Sequence, residues 1–130
     1  MKQGILDDRP GFFTDFFRDF YGVGLMSHPV SEEYLQWTRN LAMQASLKAT
    51  LACADAFATT DFRSDLAAVT VPSLIIHGTA DATVPIDASG RSAAKSIASS
   101  TFKEYENAPH GLIATHQNEL TNDLLEFLRG

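Results

Sequence analysis

Residues 71–85 read VPSLIIHGTADATVP, and they make sense together with residues 107–112, NAPHGL. Pro72 opens a short apolar run, Leu74 to Ile76, which is too short for a helix and is closed by Gly78; this is the pattern of a buried parallel strand ending in a loop. Asp81 follows just past that strand end. Residues 101–106, TFKEYE, form a second short run in which Phe102 and Tyr105 are interleaved with charge, and it gives way to a tight loop at Pro109, His110 and Gly111. His110 therefore also sits past a strand end. In open α/β sheets chemistry gathers off the carboxyl ends of the strands, so two neighbouring strands would bring a carboxylate and an imidazole together there. Such a pair is the orienting half of an acyl-transfer triad.

The residues around this pair carry a resemblance. HGTADATVP, followed by a helix, a strand and APHGL, resembles the last third of an α/β-hydrolase, and the lead-in DFRSDLAAVTVP is similar to the cofactor-free (non-haem) haloperoxidase and arylesterase branch of that superfamily. The resemblance implies that the carboxylate after HGxxD orients the histidine of the PHG loop, roles that fall here on Asp81 and His110. Many members of that family carry Asp where this chain has Thr79. The family's order of Ser, Asp and His also requires a GxSxG nucleophile elbow upstream of Asp81, and the chain contains none. We therefore expect a partial α/β-hydrolase fold: a helical cap-like segment over residues 1–62, then two parallel strands with flanking helices, the β/α part of the core, over residues 63–130.

A length of 130 residues fits one modest domain. The formal net charge of -6 and pI near 5.0 argue against a nucleic-acid partner, since neutralising phosphates needs clustered Lys and Arg. Cys53 is the single cysteine, which excludes an intrachain disulfide and fits a reducing compartment. No uninterrupted apolar region follows Lys2, and no run approaches the roughly 20 apolar residues of a membrane helix. A cytoplasmic protein without a membrane partner, expressed as it stands from Met1, is the expectation.

From Pro10 to Tyr21, phenylalanines at 12, 13, 16, 17 and 20 form a helical stripe that Gly22 ends. The stripe reads as core packing, and on another face as lining for an acyl or aromatic pocket, with Phe13 and Phe17 as candidates. Ser31 is placed to cap a long helical pattern from Glu32 to Thr60, which exceeds ordinary helix length unless it breaks near Ala45 to Lys48. Trp37 and Met43 on it read as core or as pocket wall, and the family's cap favours the wall. Leu112, beside His110, is a further pocket candidate. Cys53 among alanines reads as an inert buried thiol, and His28 as solvent-facing. Asp87 is read as the cap of a helix whose Ala93, Ala94 and Ile97 face the sheet. Within it, GRSAA at 90–94 half resembles an elbow, but it follows no strand, so Ser92 reads as helix surface. A last helix from about Thr115 to Arg129 puts Leu120, Leu124, Phe127 and Leu128 on one face, and His116 near its start reads as structural or solvated. His77 reads as a strut for the acid loop, because no third ligand accompanies it and Asp81 as a metal pair. The resemblance implies no cofactor.

Two parallel strands do not make a stable sheet, and parallel sheets normally bury both faces. The chain is thus expected to be a fragment, to pair with a chain carrying the N-terminal half, or to self-associate. Two functions follow. The first is the acid–base half of a serine esterase or haloperoxidase acting on small esters or carboxylic acids, inactive alone for want of a nucleophile. The second is a non-catalytic relative that serves as an association or apolar-ligand-binding module.

Overall fold

In the computed structural model, which describes residues 1–130, the apolar run at Leu74 to Ile76 lies within a strand, β1 (Ser73–Gly78). It pairs in parallel with β2 (Ser100–Tyr105), with Ser73 opposite Ser100 and Gly78 opposite Tyr105. These two strands are the whole sheet, so each leaves one edge unpaired. Between them the chain makes a single 3-10 turn at Ile86–Ala88 and a short helix, α6 (Gly90–Ser96), that packs on both strands.

Four helices precede the sheet: α1 (Lys2–Asp7), α2 (Arg9–Tyr21), α3 (Glu32–Met43) and α4 (Leu47–Thr59), and a short turn of helix, α5 (Arg63–Leu66), leads into β1. Their boundaries follow from local chemistry. Asp8 caps α2 by accepting from the Gly11 N–H at 3.0 Å. Gly22 ends α2 at φ 69, a left-handed conformation that costs glycine nothing. Ser31 caps α3 by accepting from the Tyr34 N–H at 3.1 Å, with Glu32 and Glu33 in its first turn. The long helical pattern breaks where expected, after Met43, because Ser46 starts a new helix by accepting from the Ala49 N–H at 3.1 Å. Arg9 fastens that break: its Nη2 donates to the Ala42 and Ala45 carbonyls at 3.0 and 2.8 Å and to Thr50 Oγ1 at 3.0 Å.

Three expectations need correction. Cys53 is exposed rather than buried, since the alanine-rich surface of α4 around it is not covered by another element. Asp87 does not cap a helix; it lies in the 3-10 turn and pairs with Arg91 at 2.8 Å, which also holds Glu104 on β2. The third concerns the face of the last helix, α8 (Gln117–Arg129), which forms where expected after a single turn of helix, α7 (Leu112–Thr115). On α8 the covered side is Leu120, Asp123 and Phe127, while Leu124 and Leu128 are 43% and 77% exposed. Helical geometry explains the gradation, because at about 100° per residue Leu128 stands ~80° round from Leu120 on the side away from Asp123. Asp123 sets that rotation. Its carboxylate accepts from the Tyr105 hydroxyl at 2.6 Å and from Lys103 Nζ at 2.6 Å, and Lys103 also reaches Glu126 at 3.0 Å.

Only 15 of 130 residues are buried, in clusters around Tyr21, Val23 and Leu35 and around Tyr105, Ala108 and Leu112, so much of the apolar surface of these layers faces outward. No helix is long and apolar enough to cross a membrane.

The Lys103 and Tyr105 hydrogen bonds hold the Asp123 carboxyl below its ordinary range, and burial with the same bond pushes the Tyr105 hydroxyl up. A carboxyl depressed on folding adds stability above its unfolded value, about 4, and loses it as pH falls through the native value. Asp123→Asn is therefore expected to lower the thermal unfolding midpoint at pH 7 and to lose less than the parent on acidification. Equal losses at pH 7 and pH 3, followed by circular dichroism, would contradict this account.

Candidate active site

The two loops that leave the carboxyl ends of β1 and β2 are zipped together. A Cβ at Gly78 would run into the Ala108 carbonyl, so only glycine lets the loops approach this closely. The Thr79 N–H donates to the Tyr105 carbonyl at 2.9 Å and the Ala80 N–H to the Ala108 carbonyl at 3.0 Å. Thr79 Oγ1 accepts from the Asn107 N–H at 2.8 Å, and Asn107 turns the second loop at φ 58. The hydroxyl of Thr79 thus provides a side-chain acceptor at the position where Asp was expected of the resembling family.

This zipper brings Asp81 and His110 together. The Asp81 side chain is 2% exposed, and it accepts three hydrogen bonds. Oδ1 takes the N–H groups of Thr83 and Val84 at 2.9 and 2.8 Å. Oδ2 faces His110 Nδ1 at 2.6 Å and His77 Nε2 at 3.0 Å. A carboxylate only accepts, so Nδ1 of His110 carries the proton of that bond, and in the neutral ring Nε2 is left with a free lone pair. The His110 side chain is 34% exposed. From the other side α2 closes on the histidine: Gly111 donates its N–H to the Phe20 carbonyl at 2.8 Å, and the Phe20 ring lies 4.6 Å from the imidazole.

His110 stands at the wall of an apolar cavity of about 300 Å³. Phe12, Phe13, Phe16 and Phe20 of α2 form one side, Ala54 and Phe57 of α4 another, and Thr83 and Val84 of the acid loop a third. Of the pocket residues expected from sequence, Phe13 lines this cavity, and Leu112 lines a neighbouring cleft that also contains His77, Asp81 and His110. Phe17, Trp37 and Met43 do not line it. Phe17 lies on the opposite side of the stripe, stacked on Tyr21 at 6.3 Å and packed toward α3, while Trp37 sits against Tyr34 at 5.5 Å and is 56% exposed. Met43 is half-buried at the end of α3. The reason is that α3 packs on the far side of α2 and α4 supplies the facing wall. Phe12, Phe16 and Phe20, spaced by four residues, were visible as a stripe, but the side of it that faced a cavity was not, and nothing near Phe57 marked it. Ser92 is exposed on α6, and its hydroxyl makes no bond to His110.

Strand-end loops that deliver an acid and a histidine across a parallel pair, with a helical layer over the histidine, match the C-terminal part of the α/β-hydrolase fold. In sequence and fold the chain corresponds to the C-terminal half of α/β-hydrolases of the non-haem haloperoxidase type. The crystal structure of bromoperoxidase from Bacillus anthracis superposes with a TM-score of 0.94 at 41% identity, covering 99% of this chain and 47% of that one. Non-haem chloroperoxidase CPO-A1 of Kitasatospora aureofaciens is 34% identical over 130 residues, 98% of this chain and 47% of its own length. A bifunctional esterase/perhydrolase of Acinetobacter calcoaceticus is 36% identical over 131 residues, 99% of this chain and 47% of its own length. The chain spans about half the length of the curated relatives it matches. No protein-family model matches it.

If Thr79 fastens the two loops through its acceptor, Thr79→Val should cost about 1 kcal/mol in urea unfolding, the usual net worth of such a bond, and Thr79→Asp should keep most of it. An unchanged midpoint in Thr79→Val would show that the backbone bonds alone hold the loops.

Proposed function

We propose that the chain is the acid–base half of a serine hydrolase of esterase or haloperoxidase type, acting on small esters or carboxylic acids. The single observation that carries this is the 2.6 Å contact between Asp81 Oδ2 and His110 Nδ1, with His110 lining an apolar cavity. In this reading His110 takes the proton of a serine hydroxyl and returns it to the leaving group. Asp81 holds the ring in the correct tautomer and stabilises the imidazolium. Residues 1–62 act as the cap that shapes the apolar pocket, and residues 63–130 as the core segment that presents the pair.

The serine and oxyanion donors come from outside this chain. Oxyanion donors alone are worth about 3 to 4 kcal/mol of transition-state stabilisation, and a general base without a nucleophile has nothing to activate. The unpaired sheet edges and outward apolar side chains, such as Val71 on the approach to β1 and Ile113 on α7, support a partner that adds strands and covers these faces. The names of the relatives, which include an esterase/perhydrolase and chloroperoxidases, support the substrate class.

The apolar cavity is formed by this chain alone, which favours one second reading: a non-catalytic module that binds an apolar ligand. The two readings separate on one comparison. The purified chain should hydrolyse a small chromogenic ester such as 4-nitrophenyl acetate no faster than His110→Ala does. Adding an N-terminal half that carries a GxSxG elbow should raise turnover by several powers of ten with the parent chain, and far less with His110→Ala. A folded pair of halves without turnover, beside saturable apolar-ligand binding that is indifferent to His110→Ala, would favour the binding module.

A further inference from the structure

Of the groups that meet Asp81, one has no part in the acid–base reading. His77 is the last residue but one of β1, and its side chain is 12% exposed. Its Nε2 lies 2.9 Å from the Val84 carbonyl oxygen, which only accepts, so this nitrogen carries a proton. The same N–H is 3.0 Å from Asp81 Oδ2. The Val84 peptide links the two side chains, because its N–H in turn donates to Asp81 Oδ1 at 2.8 Å. Behind the imidazole, the start of α6 comes so close that a Cβ at Gly90 would stand 2.7 Å from His77 Nδ1. The ring is therefore clamped between α6 and the acid loop.

Bonds to Oδ1 alone would let a carboxylate pivot about that oxygen. The His77 N–H holds the Val84 carbonyl, and with it the segment whose amides bind Oδ1, while the same ring edge packs against Oδ2 at 3.0 Å and restricts that motion. We propose that His77 is a positioning residue for the acid–base pair: by holding Val84 through its N–H and packing its ring against Oδ2 it fixes the plane of the Asp81 carboxylate and so keeps the His110 proton on Nδ1, with Nε2 free. The inference rests on the reading of Asp81 and His110 as a working pair and adds a residue that acts through Asp81 without touching substrate. It is the arrangement by which an outer residue orients a reacting one, here through a histidine that is itself partly buried and held between α6 and the acid loop.

The test is the tautomer of His110, read from long-range proton–nitrogen couplings in the full chain with ¹⁵N-labelled histidine, at a pH about two units above the ordinary histidine range. The parent should show His110 in the Nδ1–H form, and Asp81→Ala should move it to the Nε2–H form that free imidazole side chains prefer. His77→Phe keeps a ring of similar shape without a donor. It should shift the His110 tautomer ratio toward Nε2–H by about fivefold, the scale of one lost hydrogen bond, with the far-ultraviolet circular dichroism unchanged. His77→Gln, whose amide can donate to the Val84 carbonyl, should restore most of the parent ratio. An unchanged ratio in folded His77→Phe would overturn the proposal. Should that variant unfold, a folded His77→Gln with the ratio of Asp81→Ala would overturn it instead. A ratio indifferent to Asp81→Ala would defeat the reading of the pair itself; a response to Asp81→Ala without one to His77→Phe would defeat only the role of His77.

Discussion

A buried carboxylate is the constraint on which the site depends. Asp81 is closed off from solvent, and removing an ionised carboxyl from water costs several kcal/mol even after local relaxation. Hydrogen bonds to a charged group are worth about 1.5 to 3 kcal/mol each, so a single bond would not offset that cost, whereas the three that Asp81 accepts, with the His77 ring edge against Oδ2, can. Each contact comes from a different requirement of the fold. The Thr83 and Val84 amides need the tight turn after Gly78, His77 needs the last position but one of β1, and His110 needs the loop after β2 to lie alongside. Those loops lie alongside only because Gly78 has no side chain and β1 pairs with β2 in parallel register.

The same dependence runs outward to the helices. Gly111 follows His110 and gives its N–H to Phe20, so the end of α2 is tied to the loop of the histidine, and Gly22 lets the chain turn away at that point. Arg9, at the other end of α2, holds the α3–α4 junction and with it the wall formed by α4. The cavity beside His110 is thus framed by a helix fixed at both ends. Its lining is hydrocarbon and aromatic apart from His110 and two threonines, a surface that receives apolar groups in preference to charged ones.

Much of this was legible in the residues. The short apolar run closed by glycine, the acid three residues on and the PHG loop after a second strand were read from spacing, the start of α3 from Ser31, and the helix break from the length of the pattern. The parts that were not legible depend on what packs against what. A stripe of five phenylalanines announces a helix with two apolar faces but does not say which neighbour takes each, so Phe17 and Trp37 were placed at a pocket they do not line and Phe57 was missed. Cys53 looked buried because alanines surround it in sequence, yet burial needs a covering element and none lies over that side of α4. The rotation of α8 was misjudged for a related reason: four apolar residues fixed its amphipathic side, while the polar anchor Asp123, invisible as such in sequence, set the face it turns to the sheet. The role given to Thr79 by its bond to Asn107 likewise emerges only once the two loops are seen together.

The account turns on whether His110 can activate a serine that another polypeptide supplies. The direct measurement is labelling of an elbow serine by a fluorophosphonate, with an N-terminal half of the family type mixed with this chain and followed by mass spectrometry. Labelling that requires this chain and falls by orders of magnitude with His110→Ala is the predicted result. Labelling that is equally fast with His110→Ala, or absent from a folded complex of the two halves, would contradict it.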